Sequence, residues 1–553
     1  MKPQADSIAR SKKIWERLRR KSHVPKDERK ALVAELFGII TGKVKDFVFK
    51  HDSVRVIQTA IKYAQPAQRR QIAKELQGEY CALAESRYAK FLIAKLMVDD
   101  AEIRDLVVPE FYGHVKRLIR HGEAAWLLDD IYRTVATNEQ KTRLLREWYG
   151  HEFAIFQDPK GVTSTADLRN IISAQPEKRG PIMQHLKVMT NQLMQKKTTG
   201  FTMLHDALLQ YFLNCAPGSS DALELIQALR DDEDGDCLKN LAFTPSGARL
   251  VCLVLAYGTA KDRRAILKVY KGVIRMLAGD VHGHSVVLTS FDVIDDTVMT
   301  AKVLLPELLC NDLEGEQRWS ELLSLFGHLI ARIPLLYLLS SRPPKWLLSH
   351  KDTEVLNEVH EISKSTSKKE PNLRRQELVK AVSTPLLESV AKLTEALVSS
   401  SFGCQFITEV LFGTEGHKTT ALEQLAALAG EKPETMDSPH AGRMLKSLVQ
   451  GGPFDKEKKE VRAVEPRLGF ENILYSKLKG RLADWASSPN SFVVVAMLES
   501  PCLGGREDFV KELWKSLPRL KDAAHPPDKE KVNAGTVILL QELECPEAQT
   551  KND

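Results

Sequence analysis

Three clusters in this 553-residue chain hold side chains capable of chemistry. His282 and His284 offer two imidazoles that could begin a metal site, yet no further ligands at metal spacing complete the set, and the pair opens an apolar helical stretch. The acidic run 231–236 (DDEDGD) has the composition of a calcium loop. With Gly235 at the sixth loop position, Arg230 takes the first and Leu241 the twelfth, where carboxylates are required, so the run is an acidic loop. The stretch 413–419 (GTEGHKT) holds the residue types of a phosphate-binding loop at the wrong spacing. No nucleophile–base constellation stands out. Neither an enzyme nor a bound metal or cofactor is expected.

Charge is the chemistry that remains. Residues 1–30 hold eleven Lys/Arg and four Asp/Glu, a local +7, while the whole chain carries +6 and the other 523 residues therefore sum to −1. The excess is densest at Lys12, Lys13, Arg17, Arg19, Arg20 and Lys21. Such a cluster suits phosphate backbones or an import receptor. It also suits a solvated amphipathic helix with Ile14, Trp15 and Leu18 inward, and both readings stay open.

Composition narrows the class. Hydrophobic residues make up 43% and charged residues 27%, enough for a core, and aromatics at 7% with scarce period-two alternation argue against an all-β fold. Eight cysteines without CxxC pairs read as reduced thiols of an intracellular protein. The longest apolar stretch, Leu322 to Leu339, is interrupted by Ser324, His328, Arg332 and Pro334, so no membrane partner is expected. The polar, basic start shows no secretory signal.

Self-comparison organises the chain. The helical pattern at 53–61 (SVRVIQTAI) returns 36 residues later at 89–97 (AKFLIAKLM) and 35 after that at 124–132 (AAWLLDDIY). Looser copies start near Gly200, Gly247, Gly283, Ala331, Gly403, Ala441, Asn490 and Gly535, about eleven units at intervals of 35 to 76 residues. A unit of this size cannot bury its apolar face alone, so neighbours must stack into an all-α solenoid. Polar stretches at 156–180, 231–236, 361–372 and 451–469 are expected as inserted loops. The expected organisation is a basic segment 1–30, a proximal arm 31–360, a linker 361–374, a distal arm 375–545 and a tail 546–553, the two arms forming an L or a curve.

The 36-residue period and the pattern small–x–x–apolar–apolar–x–x–x–Leu resemble Pumilio repeats. In that family each unit has three helices, and the second lines a face that meets single-stranded RNA. By that resemblance each second helix presents an edge-reading residue, a stacking residue and a second edge reader. The first units present Val54, Arg55, Gln58; Lys90, Phe91, Ala94; and Ala125, Trp126, Asp129. Phe201, Thr202, His205 follow, then Ala248, Arg249, Cys252 and His284, Ser285, Leu288. The later ones are Arg332, Ile333, Leu336; Cys404, Gln405, Thr408; Gly442, Arg443, Lys446; Ser491, Phe492, Val495; and Thr536, Val537, Leu540. None supplies a complete base-reading pair of the family, and Leu, Val or Ala has no donor or acceptor for a base edge. Base-by-base readout is therefore not expected. The cations Arg55, Lys90, Arg249, Arg443 and Lys446, with Gln58, Phe91 and Trp126, remain as candidates for phosphate and stacking contacts.

The number of units, the lost code and the basic start resemble the nucleolar Puf-A (penguin, Puf-six-type) branch, with 375–545 similar to its C-terminal penguin-type region. That resemblance implies sequence-independent binding of RNA and DNA. It also implies a nuclear, nucleolar role in large-ribosomal-subunit assembly beside pre-rRNA and ribosomal or assembly-factor proteins, and translational repression of a localised mRNA as in a fungal member. Two alternatives stand beside it: a protein-interaction solenoid, for which near-neutral charge and apolar edge positions speak, and a base-specific mRNA regulator.

Overall fold

The computed structural model describes residues 5–20, 24–98, 100–155, 165–340, 343–455, 458–524 and 533–544. They form two compact units, 1–250 and 251–553, divided inside the helix Pro245–Tyr257. Almost all of the regular structure is helical; among the described residues the strands are one short hairpin, Phe454–Asp455 against Glu460–Val461. Each of the eleven expected repeat starts lies within two residues of a helix N-terminus.

In the first unit a repeat is a short helix, a middle helix and a third helix. Val44–Val48, His51–Tyr63 and Pro66–Glu75 make one. Tyr80–Glu85, Lys90–Leu96 and Ala101–Val107 make the next, and Val115–Leu118, Ala124–Asp130 and Asn138–Arg146 the third. Caps fix the breaks: Asp100 accepts from the N–H groups of Glu102 and Ile103, and Thr137 with Gln140 closes a capping box. The middle helices bury Val56, Ile57 and Ile61, then Leu92, Ile93 and Leu96, then Leu127 and Leu128. The basic N-terminal segment is part of this unit, because Ala5–Arg19 packs on helices Lys26–Ile40 and His51–Tyr63 with Ile14 and Leu18 buried.

One carboxylate closes each of these repeats. Glu75, at the end of the third helix, accepts from Gly42 N (2.8 Å) and Val44 N (3.4 Å) at the start of the first. Glu110 does the same for Gly78 N (2.7 Å) and Tyr80 N (3.2 Å), and Glu147 for Gly113 N (2.6 Å) and Val115 N (3.2 Å). In the second unit Glu307 clamps Gly272 N and Ile274 N at 2.6 and 2.9 Å, and Glu512 clamps Gly480 N and Leu482 N at 2.8 and 3.2 Å. The glycines sit at φ between +76° and +91°, a region that a side chain disfavours. Each carboxylate satisfies N–H groups that a short first helix leaves orphaned. Burial is strong enough at Glu147 to push its carboxyl up to about 7 despite those two bonds.

Neighbouring repeats of the first unit are joined by side chains of the middle helices. Buried Asp129 accepts from Thr202 N (3.0 Å) and Met203 N (2.9 Å), capping Thr202–Asn214. Buried His205 donates Nε2–H to the Thr199 carbonyl (2.7 Å), which fixes Nδ1 as the acceptor for the Thr244 hydroxyl at 2.9 Å. Burial pulls this imidazole down to about 4, so it is neutral near pH 7.

Three expectations are corrected. Residues 361–374, expected as a linker, are mostly helix, split between His350–Thr366 and the 28-residue Pro371–Val398. Two of their hydroxyls are engaged: buried Arg263 donates to Thr366 Oγ1 at 2.9 Å and Ser367 Oγ at 3.0 Å, and Arg374 pairs with Asp295 at 2.9 Å. The compact units accordingly divide at 250/251 instead. Of the expected loop 156–180, residues 156–164 lie outside the described residues, and Leu168–Ala174 and the start of Arg179–Gln195 are helical. The acidic run is a turn as expected, with Gly235 at φ +65° and Asp232 capping Cys237 N at 2.9 Å. No helix among the described residues is long and apolar enough to cross a membrane, and the seven cysteines among them are free thiols.

Two expected outcomes follow for stability. E110A leaves two backbone N–H groups unpaired and should cost about 1–3 kcal/mol in urea unfolding, whereas E110Q, which keeps an acceptor, should cost less; equal losses would contradict the clamp. Because the His205 pKa is depressed in the fold, its contribution is complete above about pH 6.5 and is lost as pH falls toward 4, about 3 kcal/mol in all. The urea midpoint of an H205Q chain should fall less steeply over that window, and parallel profiles would contradict this.

Candidate nucleic-acid interface

The three positions assigned to each middle helix separate by exposure. In the first unit the edge positions Val54, Ala125, Asp129, Phe201, His205 and Ala248 are buried, while the stacking positions Arg55, Phe91 and Trp126 are exposed. In the second unit Cys252, His284, Leu288, Arg332, Leu336, Cys404, Ser491, Val495, Thr536 and Leu540 are likewise buried. There the stacking positions Gln405, Arg443 and Phe492 are exposed, but Ser285 and Ile333 are not. Ala94 is exposed, and Gln58, Lys90, Thr408, Gly442 and Lys446 are half-buried; the other edge readers flank the outward position on the sides that pack against neighbouring repeats.

The first unit carries an aromatic strip. Phe91 and Trp126 are each 53% exposed, and Trp126 is held edge-to-face by Phe201 at 4.7 Å and 70°. Its ring lies so close to Gly200 that a Cβ there would stand 3.5 Å away. Exposed Tyr88 extends the strip, with the His51 ring 4.3 Å away and the Arg87 guanidinium 5.7 Å from its centroid. Sequence reasoning missed Arg87 and Tyr88 because they precede the repeat start, outside the three assigned positions. Phe492, 38% exposed, is the matching aromatic of the second unit, with Lys446 Nζ 5.2 Å from its centroid. Such faces accept the π-surface of any base.

The candidate cations are less free than their sequence suggests. Lys90 Nζ pairs at 2.7 Å with Glu123, the residue that precedes the next middle helix, while resting 5.2 Å from the Phe91 centroid. Gln58 Nε2 donates to the Tyr88 carbonyl at 3.4 Å. Arg249 is half-buried within its own set of interactions, and so is Lys12. Arg17 pairs with Glu28 at 2.7 Å, and this bond holds the Glu28 carboxyl below its ordinary range. Lys13, Arg19, Arg20 and Arg55 are exposed, with Arg19 5.7 Å from the Trp15 centroid, and Arg443 is exposed in the second unit. Lys21 lies outside the described residues. The first unit holds 40 Lys/Arg and 32 Asp/Glu, the second 39 and 41, so the positive excess and the three-aromatic strip share one unit. Among the described residues no cluster of His, Cys, Asp and Glu forms a metal centre.

Known proteins match this arrangement. The CPL (NUC119) domain family model matches residues 328–461, beginning within the expected proximal arm and ending in the distal one. Pumilio homology domain family member 6 of Schizosaccharomyces pombe is 34% identical over 520 residues, 93% of this chain and 78% of that protein. Human Pumilio homolog 3 is 29% identical over 559 residues, 97% and 79% of the two chains. The crystal structure of human Puf-A superposes with a TM-score of 0.80 at 27% identity, covering 97% of this chain and 99% of that one. Human Puf-A in complex with DNA gives 0.81 at 27%, covering 98% and 100%. Its repeated triplets, its helical solenoid and these matches agree: this chain belongs to the Pumilio homology domain family member 6 family, the Puf-A branch of the Pumilio-repeat proteins.

Proposed function

We propose that this chain is a non-enzymatic nucleic-acid-binding solenoid that holds single strands by stacking and phosphate contact without reading base sequence. The observation that carries this is the exposure pattern of the middle helices: Arg55, Phe91 and Trp126 face outward, while Val54, Ala125, Asp129, Phe201, His205 and Ala248 are buried, half-buried Gln58 and Lys90 are engaged by the Tyr88 carbonyl and Glu123, and exposed Ala94 has no side-chain donor or acceptor. Asp129 and His205 have their hydrogen-bonding capacity committed inside the fold, so a base edge would find no partner there. The DNA complex of human Puf-A supports the reading by kinship. From the resemblance of its sequence to the nucleolar Puf-A branch we further propose a nucleolar role on pre-rRNA in large-subunit assembly, with mRNA repression as a further role.

A protein-scaffold role is favoured by one observation only, the near-neutral second unit. Its other support is gone, because the apolar edge residues Leu288, Leu336, Val495 and Leu540 are core.

Stacking is worth about 1–3 kcal/mol per base, so W126A and F91A should each weaken binding of a fluorescein-labelled single-stranded DNA about 5- to 150-fold. Fluorescence polarisation measures this directly. Wild-type affinity in both variants would contradict the stacking face, and no binding by the wild type would contradict the function itself. Neutralising Lys13, Arg19 and Arg20 together should flatten the slope of log affinity against log salt by about 0.7 for each phosphate no longer neutralised. An unchanged slope would remove the N-terminal helix from the interface.

A further inference from the structure

A second set of basic groups lies off the middle helices of the first unit. Lys116 sits in the short helix Val115–Leu118 and Arg120 just beyond it, His151 opens the helix His151–Ile155, and His185 lies in Arg179–Gln195. Lys116 Nζ is 3.5 Å from His151 Nε2, and the His151 and His185 rings stand 5.6 Å apart. Arg120 reaches the His185 helix through Gln192 Oε1 and, at 3.2 Å, Met189 Sδ.

The two other repeats with a cation at this position act as an internal control. The second residue of the first helix is Lys45 in the first repeat, which donates to Gln77 O at 3.0 Å and pairs with Glu79 at 3.5 Å. In the second unit the same position is Arg275, which pairs with Asp312. Each acid follows the clamping glutamate, Glu75 or Glu307, by four or five residues. In the third repeat the clamp is Glu147, and four residues on stands His151. An imidazole has replaced the counter-ion.

Nothing described nearby compensates. Glu152, on the same helix, is engaged by Lys178 at 3.0 Å. Arg120 Nε and His185 Nε2 are buried without hydrogen-bond partners, a state that native structures avoid unless a ligand or water completes it. Burial, then Lys116, His151 and Arg120, hold His185 below its ordinary pKa, as expected where basic groups crowd without an acid.

We propose that Lys116, Arg120, His151 and His185 form a binding site for a phosphodiester group of a nucleic-acid strand. The inference rests on the nucleic-acid reading above. Half-buried Lys116, Arg120 and His185 with exposed His151, a set of donors with no internal anion, fits a singly charged group with several acceptor oxygens.

The decisive variant is H151E, which hands Lys116 the partner that Lys45 already has in Glu79. It should leave the melting temperature unchanged or raised while weakening single-stranded DNA binding at least threefold, and K116Q should weaken it similarly. Wild-type affinity in both variants, with W126A still weakened, would overturn the site and leave the general function standing. No binding by the wild-type chain would overturn both. Inorganic phosphate provides the other arm: if it raises the melting temperature of wild type but not of H151E, and DNA affinity is the same in the two, the site holds free phosphate and the strand assignment is wrong.

Discussion

A carboxylate that returns from the third helix to the first is the contact on which the repeats depend. Their first helices are too short to stabilise themselves, since nucleation costs more than one turn of hydrogen bonds returns. Glu75, Glu110, Glu147, Glu307 and Glu512 each offer two oxygens, or one shared, to the N–H groups that such a helix exposes. The partner glycine, 32 to 35 residues upstream, must turn through positive φ to present its N–H. That distance sets the length of the unit. It is why middle helices in adjacent triplets recur at nearly the same interval.

Stacking closed triplets then decides what the middle helices can do. Residues beside the outward position are pressed against neighbouring repeats, and their chemistry turns inward: Asp129 caps the next middle helix, and His205 links Thr199 to Thr244. A residue that holds the fold by hydrogen bonds is not available to a base. The outward position remains open, and there the chain places Arg55, Phe91 and Trp126. Stacking rings and cations bind strands without distinguishing them.

Periodicity exposes the fold because burial imposes it. The helix starts, the repeat number and the small residues that open the middle helices all leave a local signature between residues 53 and 544. The outward placement of Phe91 and Trp126 followed from register. Pairings across repeats were hidden. Lys90 reads as a free cation until Glu123, 33 residues on, is brought beside it, and Arg17 is read as basic surface until Glu28 folds back. Composition misled at 361–374, where hydroxyls that look like linker residues serve the buried Arg263 guanidinium. The clamps left a signal that a self-comparison tuned to apolar residues passes over, a Gly followed at 32 to 35 residues by Glu.

The claim that sequence readout has been given up for stacking and charge is tested by one titration. Single-stranded DNA and RNA of equal length and several unrelated sequences would be bound at two salt concentrations. Affinities should agree within about threefold across sequences of one type and fall together as salt rises, because the contacts are ring faces and phosphates. A single sequence bound more than tenfold tighter, about 1.4 kcal/mol, at both salt concentrations would contradict the account, since most edge positions are buried and no unit holds a complete base-reading pair.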